Sequence, residues 1–132
     1  MTPPQDLELE IEHRDGYTAA TFLGEFSVAG FQRRAEAASR ECRDHNSGRL
    51  FVDTTRYDVS PTIAERYELA CHAVKISEGL KVALLVTPAF LDPNKFGIVV
   101  ARNRGLMVEG FTDRQRALDW LLSPAPGPTA TS

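Results

Sequence analysis

The chain of 132 residues is short of most of the features that announce a chemistry. It has two cysteines, Cys42 and Cys71, with no CxxC spacing, which excludes a disulfide framework and a thiolate zinc knuckle. Both fall mid-pattern on predicted helices and read as free thiols packed as small apolar groups in a reducing compartment. The three histidines, His13, His45 and His72, show no HxxxH or HExxH spacing, so the sequence predicts no metal site. No glycine-rich phosphate cradle and no Gly-x-Ser-x-Gly elbow occur. Positive charge is not in excess: the net charge of -3 leaves no footprint for nucleic acid or an anionic membrane. No apolar run approaches the ~20 residues that span a bilayer, and the start lacks a basic-then-apolar leader. A soluble cytoplasmic protein without cofactor is the expectation.

What is present is an alternation of short apolar strands and amphipathic helices. Leu7 to Glu12 alternates with period two, Arg14-Asp15-Gly16 turns, and Tyr17 to Leu23 returns, predicting a β-hairpin. Ser27 is placed to cap a first helix with Val28, Phe31, Ala35, Ala38 and Cys42 inward and Arg33, Arg34, Glu36, Arg40, Glu41 and Arg43 outward. Asn46-Ser47-Gly48 ends it, with Gly48 as the left-handed cap. Leu50 to Thr54 reads as the third strand. A second helix then starts at Ser60-Pro61 with the stripe Ile63, Tyr67, Ala70 and Val74, and Gly79 closes it. Lys81 to Val86 is apolar on both faces and belongs centrally in a parallel sheet. Asp92-Pro93 opens a third helix with Phe96, Val99 and Val100 inward. Leu106 to Gly110 is the last strand, and Thr112 with Gln115 forms a capping box for a helix burying Ala117, Leu118 and Leu121.

The order β-β-α-β-α-β-α-β-α implies an α/β fold with a five-stranded, mostly parallel sheet and an antiparallel first strand. Right-handed crossovers between neighbouring strands put the helices mainly on one face. A bare second face would favour a homodimer. One domain over residues 1–122 is expected, followed by a disordered tail at 123–132 made of Pro, Ser, Thr, Ala and Gly alone.

The candidate site is the polar loop after the third strand. Asp53, Thr54, Thr55, Arg56, Asp58 and Thr87 gather at the carboxyl ends of neighbouring strands, where α/β sheets take ligands. Asp53 either orients hydroxyls or fixes the turn by accepting backbone N–H groups. Ser60 and Thr62 either cap the helix or accept a phosphate, which a helix N-terminus would favour. No second acid or histidine accompanies Asp53, so no catalytic constellation is read here.

Three stretches carry a resemblance: Leu50-Phe51-Val52-Asp53, Lys81 to Val86, and Val108-Glu109-Gly110-Phe111-Thr112-Asp113 running into Ala117-Leu118-Asp119-Trp120-Leu121. With the element order they resemble the STAS domain (sulfate transporter and anti-sigma factor antagonist), in particular its SpoIIAA-like, or STAS/SEC14-like, group of small bacterial proteins. The resemblance implies a non-catalytic regulatory module that binds a protein partner, phosphorylated on a hydroxyl at the start of the helix after the third strand. The matching region is Asp58-Val59-Ser60-Pro61-Thr62. The antagonists' Asp-Ser-Ser-Gly motif is absent, and Pro61 stands where they have no proline. The SEC14-like side implies an alternative, a small-molecule or lipid carrier with Phe90, Leu91, Phe96 and Phe111 lining an apolar cleft.

Overall fold

A computed structural model describes residues 8–124. Nine elements follow in the expected order: β1 (Leu9–Arg14), β2 (Tyr17–Phe22), α1 (Val28–Asp44), β3 (Arg49–Asp53), α2 (Ile63–Ile76), β4 (Lys81–Leu85), α3 (Phe96–Asn103), β5 (Met107–Phe111) and α4 (Arg114–Leu122). The strands lie side by side in chain order, β1-β2-β3-β4-β5. β1 is antiparallel to β2 and the remaining pairs are parallel. The expected tail from residue 125 onward and the first predicted strand residue, Leu7, lie outside the described residues.

Alternation along the strands divides the core into two layers. Leu9, Ala20, Phe22, Leu50, Val52, Val82 and Val108 point to the layer under α1, α2 and α3. Phe51, Ala83 and Leu85 point the other way and meet Ala117 and Leu121 of α4. Three helices are crossovers and share a face; α4 follows the last strand, is bound by no crossover rule, and covers the second face. That face is therefore not bare over β3 to β5, which removes the reason for expecting self-association through it.

Lys81 anchors α4. Its side chain is buried, donates from Nζ to the Trp120 and Ser123 carbonyl oxygens at 2.6 and 3.0 Å, and lies 4.6 Å from the Trp120 ring centroid. A cation thus meets the negative end of the helix.

Several local expectations are corrected. Asn46, not Gly48, takes the left-handed conformation after α1 (φ 55°), and Ser47 N–H donates to Cys42 O. Asp113 rather than Thr112 caps α4, its carboxylate accepting from Gln115 N–H. In α3 the buried positions are Ile98 and Ala101, while Val99 is exposed. Arg34, assigned to the outer face of α1, is only 5% exposed.

Candidate functional site

β3 ends at Asp53, and residues 54–62 cross from the sheet to α2. The Asp53 carboxylate is fully engaged. Oδ1 accepts from the Thr55 N–H at 2.9 Å and the Thr55 hydroxyl at 2.7 Å; Oδ2 accepts from Arg114 Nη2 at 2.6 Å. The residue fixes the turn and ties it to the first turn of α4. Thr54 is buried and spends its hydroxyl on Leu85 O at 3.1 Å. Thr87 reaches the same loop, donating to Tyr57 O at 3.1 Å and accepting from Phe90 N–H at 3.2 Å. The structure therefore brings Asp53, Thr54, Thr55 and Thr87 together, as scaffold. Arg56 and Asp58 point to solvent.

Tyr57 pins the loop from beneath. It is 1% exposed, donates from its hydroxyl to Leu23 O at 2.9 Å, and accepts from Arg34 Nη1 at 2.7 Å. Burial raises its pKa above the usual 10.0, and the Arg34 guanidinium partly opposes that rise. Phe26 packs edge-on to Tyr57 and to Phe90, and Phe90 lies tilted against the Tyr57 ring. The loop is thus rigid underneath and polar on top.

Ser60 is not the helix cap. α2 begins three residues later, capped by Thr62, whose hydroxyl accepts from Glu65 N–H while the Glu65 side chain accepts from Thr62 N–H. This reciprocal capping box satisfies two orphan donors at once. Pro61 is buried before the cap. Ser60 is exposed, and its hydroxyl oxygen accepts from Arg66 Nη2 at 3.1 Å. Arg66 is itself held by Pro61 O and Phe90 O.

The start of α2 also shows an unexpected surface. Ile63 and Tyr67, assigned to the buried stripe, are 70% and 46% exposed, and Val59 is 40% exposed. Ala70 and Val74, of the same stripe, pack into the core, so the stripe is exposed at its start and covered further along. The basic turn after α3 borders it, with Arg104 donating to the Tyr67 hydroxyl at 3.1 Å.

Two of the histidines, far apart in sequence, converge elsewhere. His13 on β1 and His45 at the end of α1 stack with ring centroids 3.3 Å apart, and His13 Nε2 lies 3.1 Å from Glu41 Oε1. His72 pairs separately with Glu36 at 2.7 Å.

An apolar cavity of about 120 Å³ lies between the sheet and α2 and α3, bordered by Phe90, Leu91 and Phe96 among others. Phe111, grouped with them from sequence, faces the other side and packs on Trp120.

Sequence reasoning missed Arg34, Tyr57, Arg66 and Arg114. Arg34 had a signal: it lies three residues after Phe31 and four before Ala38, on the inward stripe.

No protein-family model matches this chain, and no curated protein matches it. Among solved structures, it is similar to the crystal structure of an anti-sigma factor antagonist from Mycobacterium paratuberculosis. The TM-score is 0.54 at 14% identity, covering 92% of this chain and 98% of that one. The fold expected from the STAS resemblance is the fold observed.

Proposed function

We propose that this chain is a non-catalytic regulatory module that binds a protein partner through the β3–α2 loop and the first turns of α2. One observation carries the reading: Val59, Ile63 and Tyr67 are exposed on a segment whose neighbours are tightly anchored. Large apolar side chains held rigid at the surface suit docking, because little entropy is lost when a partner covers them. The anti-sigma factor antagonist with the same fold supports a regulatory protein as that partner. The saturated Asp53 carboxylate supports the absence of acid–base chemistry.

Ser60 is the better of the two phospho-acceptors. It is exposed, and a phosphate on it would meet the Arg66 guanidinium in a charge-assisted contact. A phosphate on Thr62 would instead displace its cap and crowd the Glu65 carboxylate. Among the described residues, no helix is long and apolar enough to cross a membrane. The test is partner capture with wild type, Ser60→Asp and Ile63→Asp. Loss of a specific partner in Ile63→Asp, with modulation in Ser60→Asp, supports the reading; identical capture by all three refutes it.

A second reading, a carrier of small apolar molecules, has the cavity in its favour. At about 120 Å³ it suits a ring-sized group rather than a whole lipid, since an engineered cavity of ~150 Å³ holds one benzene. Native mass spectrometry of the purified protein decides it by the presence or absence of a retained small molecule.

A further inference from the structure

At the opposite end of the sheet from the Asp53 loop, the hairpin edge meets the end of α1. We propose that His13, Glu41 and His45 form a binding site for one divalent late first-row metal ion of the Zn²⁺ class.

The ligand atoms of the three residues lie within 4.8 Å of one another. His13 Nε2 and Glu41 Oε1 stand 3.1 Å apart, close to the ~3.3 Å that bonds of 2.0–2.2 Å at a tetrahedral angle require. Glu41 and His45 are four residues apart on one helix face, so both reach the same point. His45 is exposed at the helix end, and to bind the ion it leaves its stack on His13 and turns its ring, because a metal in the plane of one imidazole lies outside the plane of a parallel ring 3.3 Å away.

A further contact prepares His13. Its Nδ1 lies 3.1 Å from the hydroxyl of Thr18, which is 1% exposed and therefore fixed. Metal-bound imidazoles depend on such an outer partner to set ring orientation and tautomer. The hydroxyl suits both states. In the tautomer protonated at Nε2, that nitrogen donates to Glu41 and Nδ1 accepts from Thr18. In the tautomer that leaves Nε2 free for a metal, Nδ1–H donates to Thr18.

The mixed imidazole and carboxylate donors favour Zn²⁺, Co²⁺, Ni²⁺ or Cu²⁺ over Ca²⁺ and Mg²⁺, which prefer all-oxygen shells. Three protein ligands leave a fourth position for water. A bound ion would clip β1, an edge strand, to the end of α1.

Calorimetric titration of the full chain with Zn²⁺ tests this, with Co²⁺ absorption as a second readout. The expected result is saturation at one ion per chain, weakened at least tenfold by His13→Ala and by His45→Ala, and about tenfold by Thr18→Val. The Co²⁺ spectrum is expected to lack a thiolate charge-transfer band, which separates this site from Cys42 and Cys71. Circular dichroism confirms that each variant is folded; His13 and His45 are exposed, so their removal leaves the core intact. Absence of saturable binding, binding unchanged in both histidine variants, or a thiolate band would overturn the proposal.

Discussion

Arg34 Nη1 donates to the Tyr57 hydroxyl at 2.7 Å, joining a buried guanidinium on α1 to the underside of the β3–α2 loop. The phenol passes the connection on to Leu23 O, so helix, loop and the end of β2 share one buried network. Buried polar groups of this kind contribute little net stability when satisfied but cost heavily when one partner is removed.

Tyr57→Phe is therefore expected to keep the fold and lose about 1–3 kcal/mol, because it strips an acceptor from Arg34 and a donor from Leu23 O. Urea unfolding measures it, as a lower midpoint at unchanged slope. A loss under 0.5 kcal/mol would show that water replaces the hydroxyl.

Alkaline pH acts on the same residue. Burial raises the pKa of Tyr57 above 10.0 and that of Cys42 above 9.0. For a raised folded-state pKa, the stability contributed is complete below the unfolded value and is lost as pH rises through the folded one. Lys81 runs opposite: burial lowers its pKa from 10.5, so its contribution improves as pH rises toward that value. The thiol and the phenol are expected to lower stability as pH rises above about 9, and the fall is expected to be less steep in Tyr57→Phe. Thermal melts from pH 8 to 11 check the sign.

The two thiols should react at different rates. Cys42 is buried, with its pKa raised by burial and its thiol donating to Ser47 O at 3.2 Å. Cys71 is half-buried on α2. Titration with a disulfide reagent at neutral pH is expected to show one faster and one much slower thiol. Cys71→Ser should remove the faster phase; two equal phases would contradict the burial assignment.

All five strands were legible in the sequence, because their apolar runs are short and bounded by Gly16, Gly48, Gly79 and Gly105. Helix identity was legible too, but how far along a helix its apolar stripe is covered was not. In α2 the stripe of Ile63, Tyr67, Ala70 and Val74 packs into the core at Ala70 and Val74 and is exposed at Ile63 and Tyr67, because periodicity gives a helix its apolar face and not the point at which a neighbour begins to cover it. The start of α2 was misplaced because two N-terminal signals compete: Ser60-Pro61, and the capping box of Thr62 and Glu65 two residues on. The box prevails because it satisfies two donors, while Ser60 is taken by Arg66. Asp53, Thr54, Thr55 and Thr87 do meet, while Arg56 and Asp58 point to solvent, and the partners Arg66 and Arg114 come from helices whose faces sequence alone did not orient. The histidine cluster was invisible for a similar reason, since His13 and Glu41 belong to separate elements.

Ile63→Asp is the most informative substitution. Ile63 is the first residue of α2 and largely solvated, and an acidic side chain in a first turn is favourable, so stability should change by no more than about 0.5 kcal/mol. The direct measurement is side-by-side affinity capture of cellular proteins by wild type, Ile63→Asp and a control, Leu122→Asp, which changes another exposed apolar residue on α4. A partner retained by wild type and the Leu122 control but lost in Ile63→Asp is the expected result. Equal retention by all three proteins would contradict the assignment of residues 59–67 as the docking surface.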